Sequence, residues 1–183
     1  MSDDPVRTMI RSDEGELPFQ DYFVRLACAV PLRGIRYEGA QTARINPALA
    51  ARDGAPGIDA IIICPSNPYL SVDPILAVPG IRAALAGCAA PKIAVSPIIG
   101  GAAVKGPAAK IMRELGVPQT QASIARHYAG LIDGLIIDES DSGEAASLPI
   151  PALATRTLMH SLDDREGLAH RVLAFGRHLG RQR

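Results

Sequence analysis

The chain has no excess of charge of either sign: nineteen lysine and arginine residues balance nineteen acidic ones, for a formal net charge of zero. No stretch concentrates basic residues, which argues against nucleic acid or an anionic membrane as the main partner. Long apolar runs are missing too. None approaches the roughly 20 residues that cross a bilayer, so no membrane association is expected. The opening "MSDDPVRTMIRSDEGE" is polar and acidic, without the apolar core of a signal peptide. Cysteine is scarce: Cys28, Cys64 and Cys88 are odd in number, widely separated and form no CxxC pair. That excludes a disulfide framework or a zinc site and fits reduced thiols in a cytoplasmic protein. His160, His170 and His178 have no metal-ligand spacing, and no Ser/His/Asp arrangement points to nucleophilic catalysis. Internal repeats and low-complexity segments are absent. What is present is a core: 48% of the 183 residues are hydrophobic, too many for a disordered chain and enough for one ordinary domain.

Two unlike parts follow one another. Residues 1–57 are mixed. "PVRTMIRSDEGE" alternates Val6, Thr8 and Ile10 and ends in a turn, which predicts a hairpin strand. "LPFQDYFVRLACA" carries apolar residues at roughly helical spacing, which predicts a short amphipathic helix. "LRGIRYEGA" reads as a strand, and "QTARINPALAARDGAPG" as a loop or weak helix. Over residues 58–183 short apolar strands alternate with helices. The strands are "DAIIIC" (59–64), "KIAVS" (92–96) and "GLIID" (134–138), apolar throughout and therefore expected in a parallel sheet covered on both faces. Helices are expected in "DPILAVPGIRAALAG", with a break at Pro79-Gly80, in "GPAAKIMRELG" and in "QASIARHYAGLI". "TRTLM" (155–159) reads as an edge strand. The last helix sets Leu168, Val172, Phe175 and Leu179 on one face, with Asp163 or Asp164 as its cap. This βαβαβ order predicts a doubly wound, Rossmann-like α/β sheet beside a smaller N-terminal α+β segment.

Ligands of such sheets bind outside the carboxyl ends of the strands. The first exit, "CPSNP", presents Ser66 and Asn67 between two stiffening prolines, either to bind a ligand or to cap the helix that follows. The second, "AVSPIIGGAAVKGPAAK", offers Ser96, the pair Gly100-Gly101, and Lys105 ahead of Pro107. A glycine pair lets backbone amides come close to a ligand, and a lysine beside a helix start suits phosphate. The order is neither Walker A nor GxGxxG, and a glycine-rich strand-to-helix turn with a solvated lysine would read the same way. The third exit, "IIDESDSGE", offers Asp138, Glu139 and Asp141. Such carboxylates can hold Mg²⁺, but an acidic surface loop is the commoner source of this pattern. His127 and Tyr128 lie on a helix, where a lone histidine is more often a packing or surface residue than a catalytic one.

These motifs resemble a known family, the 2-phospho-L-lactate transferases (CofD family) of coenzyme F420 biosynthesis. The resemblance rests on "ICPSNPYLSVDPILAVPGIRAAL", "KIAVSPIIGGAAVKGPAAKIMRELG", "IARHYAGLIDGLIID" and the first forty residues. It implies transfer of a 2-phospholactyl or phosphoenolpyruvyl group from a guanosine-diphosphate-linked donor to the deazaflavin FO. Coenzyme F420-0 or its dehydro form is the product, GMP leaves, and Mg²⁺ assists. It also implies donor binding by Ser66, Asn67, Ser96, Gly100, Gly101 and Lys105, an N-terminal segment covering the acceptor, and allows a homodimer. Family chains are longer and resemble this one in their C-terminal portion. A glycine-rich first strand-loop and a metal-binding aspartate segment have no counterpart here, so the magnesium ligands are expected outside this chain. Met1 falls where the family has an internal methionine. The expectation is an incomplete sheet with a hydrophobic opening, a chain poorly stable and inactive alone. The alternatives are a binding module or remnant without chemistry, and a sugar-nucleotide-binding relative that prefers uridine.

Overall fold

A computed structural model describes residues 1–50, 58–103 and 107–181. In chain order it contains β1 (Arg7–Ser12), β2 (Gly15–Pro18), β3 (Gly34–Glu38), α1 (Pro47–Ala50), β4 (Ile61–Ile63), α2 (Asp73–Leu76), α3 (Ile81–Gly87), β5 (Lys92–Val95), β6 (Ile98–Ile99), β7 (Ala102–Ala103), α4 (Ala108–Glu114), α5 (Gln121–His127), β8 (Gly134–Asp138), β9 (Ala152–Thr155) and α6 (Leu162–Gly180). The chain divides into two compact units. One comprises Met1–Gly54, Asn67–Cys88 and Lys105–Pro118; the other comprises Ala55–Ser66, Ala89–Val104 and Gln119–Arg183.

The first unit holds an antiparallel sheet in the order β2-β1-β3, with Ile10 opposite Leu17 on one side and Ile35 on the other. The predicted hairpin is therefore present. Its core gathers the fully buried Ile10, Tyr22, Leu32 and Ile111. The short helix expected in "LPFQDYFVRLACA" is present over residues 19–25, its last five residues, Asp21–Arg25, in a wide π-type turn, and it ends early. Ala27 and Cys28 explain this, since both take positive φ values, 45° and 60°, that a right-handed helix cannot continue through. Lys110 on α4 braces the segment by donating to the Tyr22 hydroxyl (3.2 Å), the Val30 carbonyl (3.0 Å) and the Glu114 carboxylate (2.7 Å). Burial raises the Tyr22 hydroxyl pKa, and the neighbouring ammonium offsets only part of that.

The second unit carries the predicted parallel sheet. Its order, β4-β5-β8-β9, is the order of the chain. Every residue of β5 and β8 is buried, as apolar strands in the middle of such a sheet must be. β4 departs from the expectation of two covered faces: it lies at the edge, and Ile62 is 39% exposed. Asp133 fixes the start of β8 against β5. Its carboxylate accepts the Lys92 amide at 2.7 Å, and its own amide donates to the Lys92 carbonyl at 2.7 Å. One face of the sheet packs Ile93, Val95 and Ile136 against Leu168, Val172 and Leu179 of α6, with Phe175 partly buried beside them. Gly134 permits this contact, because a Cβ there would stand 2.7 Å from both Leu179 and Phe175. The edge strand forms at 152–155, not at 155–159, and the cap of α6 is Ser161, not an aspartate. Ser161 Oγ accepts the Asp164 amide (3.1 Å) while the Asp164 carboxylate accepts the Ser161 amide (2.9 Å), a reciprocal capping box. Among the described residues no single helix is long and apolar enough to cross a membrane.

Candidate functional site

Parallel strands leave the sheet on one side, so the exits of β4, β5 and β8 share the carboxyl edge of the second unit. The polar residues singled out in the sequence lie along these exits, and the structure gives several of them definite partners.

After β4, Ser66 ends one segment of the second unit, while Asn67 opens a segment of the first. Asn67 Oδ1 accepts from the amides of Tyr69 (3.0 Å) and Leu70 (3.2 Å), so it caps the helical turn Pro68–Val72. The capping alternative therefore describes that oxygen. The other end of the amide differs, because Asn67 Nδ2 is buried and has no hydrogen-bond partner.

After β5, Ser96 is 1% exposed, its amide donates to the Ile136 carbonyl (2.8 Å), and its Oγ accepts the Ile98 amide (3.2 Å). β6 and β7 then form a small antiparallel hairpin, with Ile98 opposite Ala103 and Ile99 opposite Ala102. Gly100 and Gly101 are its two turn residues, at φ 59° and 71°, the pair of positive angles that a type I′ turn requires. Their amides point inward. Gly100 N–H donates to Asp141 Oδ2 (3.0 Å) and Gly101 N–H to Asp141 Oδ1 (3.1 Å), so the turn grips a carboxylate with one amide on each oxygen. Gln121, fully buried at the start of α5, adds a third donor. Its Nε2 reaches Asp141 Oδ2 (2.8 Å) and the Ile98 carbonyl (3.1 Å), while its Oε1 has no partner. Leaving a buried acceptor unsatisfied costs about 1–3 kcal/mol. The glycine pair thus has the geometry of an anion cradle, filled here by an anion of the chain itself. Lys105 lies outside the described residues.

After β8, Asp138 is 5% exposed and fully engaged. Oδ1 accepts the Ser140 amide (3.1 Å) and hydroxyl (2.7 Å); Oδ2 accepts the Thr157 amide (2.9 Å) and hydroxyl (2.9 Å). Burial alone would push this carboxyl up, but the four hydrogen bonds outweigh it and hold the pKa down at about 2. Asp138 therefore ties the exit of β8 to the segment after β9. Among the described residues no group of three histidine, cysteine, aspartate or glutamate side chains could hold a metal ion. Asp138 and Asp141 both point their oxygens at protein donors. Gln121 and Thr157 gave no signal in the sequence. Each lies 19 or 20 residues from the aspartate it serves, and no local pattern joins them.

A four-stranded parallel sheet with flanking helices, beside a small antiparallel sheet, defines an α/β protein. The chain belongs to the 2-phospho-L-lactate transferase CofD family, whose sequence model matches residues 1–168, and the resemblance seen in the exit motifs is borne out. It is 38% identical over 181 residues to a phosphoenolpyruvate transferase of Streptomyces griseus, covering 94% of this chain and 56% of that protein. It is 40% identical over 174 residues to a phosphoenolpyruvate transferase of Kitasatospora aureofaciens (92% and 54%). It is 39% identical over 178 residues to a 2-phospho-L-lactate transferase of Methanopyrus kandleri (94% and 55%). The chain spans just over half the length of these curated relatives.

Proposed function

We propose that this chain forms the donor-phosphate portion of a transferase in coenzyme F420 biosynthesis. The enzyme moves a 2-phospholactyl or phosphoenolpyruvyl group from a guanosine-diphosphate-linked donor to the deazaflavin FO. The acceptor's primary hydroxyl attacks the phosphorus that carries the organic group, a new P–O bond forms, and the phosphoanhydride to GMP breaks. The hydroxyl proton departs, and GMP leaves with the bridging oxygen. Such a reaction is driven mainly by in-line positioning and by neutralising charge on the bridging and leaving oxygens.

Family membership and the names of the relatives support the reaction class. The observation that carries the assignment to this chain is the carboxyl edge of the parallel sheet. Three successive strands end there in Ser66, in Ser96 with Gly100-Gly101, and in the Asp138–Asp141 loop. Within this reading Ser66, Ser96 and the glycine amides donate to donor oxygens. Magnesium, which the family resemblance implies, would be held by ligands outside the described residues and would neutralise phosphate charge.

Calorimetric titration of the purified chain with guanosine diphosphate and uridine diphosphate tests the reading. Guanosine diphosphate is expected to bind more tightly, and Ser96→Ala is expected to weaken it. A uridine preference, or binding of neither nucleotide, would overturn the assignment. Guanosine binding without turnover of donor and FO would reduce the chain to a nucleotide-phosphate-binding module.

A further inference from the structure

We infer that Asp141 is an internal anion occupying the phosphate cradle of the Gly100-Gly101 turn, and that a phosphate group enters this turn only by displacing the Asp141 carboxylate. The inference rests on reading the β5 exit as the donor-phosphate loop and adds what controls access to it.

Four observations carry it. The two glycine amides are directed at one point and separately hydrogen-bond the two oxygens of a single charged group, an arrangement that suits two oxygens of a phosphate equally well. That point is already taken by a full negative charge in an 8% exposed residue. A phosphate brought alongside would meet a like charge in a poorly solvated place, so both anions cannot stay. Third, Gln121 completes the carboxylate's shell with its Nε2, a donor that a phosphate oxygen accepts from equally well. Fourth, Asp141 sits in the nine-residue 3₁₀ helix Glu139–Ser147, much longer than the three or four residues this tight, poorly bonded geometry usually sustains. The turn residues Gly100 and Gly101 are themselves exposed. Charge and geometry both favour an exchange of one anion for another.

The decisive experiment titrates inorganic pyrophosphate, and in parallel guanosine diphosphate, into the ¹⁵N-labelled chain and its Asp141→Asn and Asp141→Ala variants. Removing the competing charge is expected to tighten pyrophosphate binding roughly tenfold, within the usual range for two coupled binding events. The Gly100 and Gly101 amide resonances should shift on saturation. Unchanged or weaker binding in variants that keep the wild-type circular dichroism and melting transition would overturn the inference, as would glycine amides that do not respond. If both variants fail to fold, the wild-type titration decides. Movement of the Gly100, Gly101 and Gln121 side-chain amide signals together supports displacement, and silence at all three refutes it. Guanosine diphosphate separates the two readings. Tight binding with silent glycines sinks only the Asp141 exchange. A pyrophosphate response at the turn without any guanosine diphosphate affinity sinks the donor assignment and keeps the exchange.

Discussion

Asp138 shows how a carboxylate at a strand exit can look like a metal ligand and serve as a clasp. Its four hydrogen bonds from Ser140 and Thr157 engage both oxygens with protein donors. Because its folded pKa is lowered to about 2, the stability it contributes is present above the unfolded value, about 3.9, and is lost as pH falls through about 2. Asp138→Asn replaces an acceptor oxygen by a donor that must face donors, and should cost about 2–3 kcal/mol at neutral pH. Thermal melts of wild type and variant should differ by a constant gap above about pH 4 that narrows towards pH 2. A gap independent of pH would show that the carboxylate's charge is not what holds the β8 exit. Sequence alone placed Asp138 and Asp141 at this exit but not their roles. Asp141 meets the glycine pair across 40 and 41 residues, and Thr157 meets Asp138 across 19, distances over which no periodicity operates.

At the scale of elements, what could be read and what could not follow from local physics. Strands β5 and β8 were legible because continuous apolar runs of that length fit only a doubly covered sheet, and the β1–β2 hairpin because alternation and a turn coincide. The N-terminal helix was legible in its place, residues 19–25, but not in where it ends. Its apolar spacing is real, but two consecutive residues in left-handed conformation override it, and neither Ala27 nor Cys28 advertises that choice. The cap of α6 was misplaced by a few residues because Ser161 and Asp164 both suit a cap and act reciprocally. Ser161→Ala should therefore lower stability by about 1 kcal/mol, measurable as a shift in the urea midpoint. A larger loss is expected from Gly39→Ala at the end of β3. Gly39 holds φ at 80°, and a Cβ there would stand 2.5 Å from the Pro5 carbonyl oxygen, a backbone atom that cannot rotate away. That substitution should exceed about 2 kcal/mol; a loss as small as that of Ser161→Ala would show that the β1–β3 region yields easily.

On the scale of the whole molecule, the parallel sheet has two edge strands among the described residues, β4 and β9, and β4 shows an apolar side chain, Ile62, to solvent. An open, apolar edge is a template for pairing with another strand. Sedimentation velocity should show concentration-dependent association of the isolated chain, reduced in Ile62→Lys, whose charge opposes edge-to-edge contact. A monomer at all concentrations, or association untouched by the lysine, would mean that this edge is not the sticky surface.

The agreement between strand order in the sheet and order along the chain bears on synthesis. Within this sheet each new strand meets a neighbour that emerged just before it, so pairing can keep pace with translation at about 5–20 residues per second. No strand of the four has to wait for a distant segment to be made before it finds its place. Closure of the sheet's first face comes last, when α6 leaves the ribosome and lays Leu168, Val172 and Leu179 across strands already aligned.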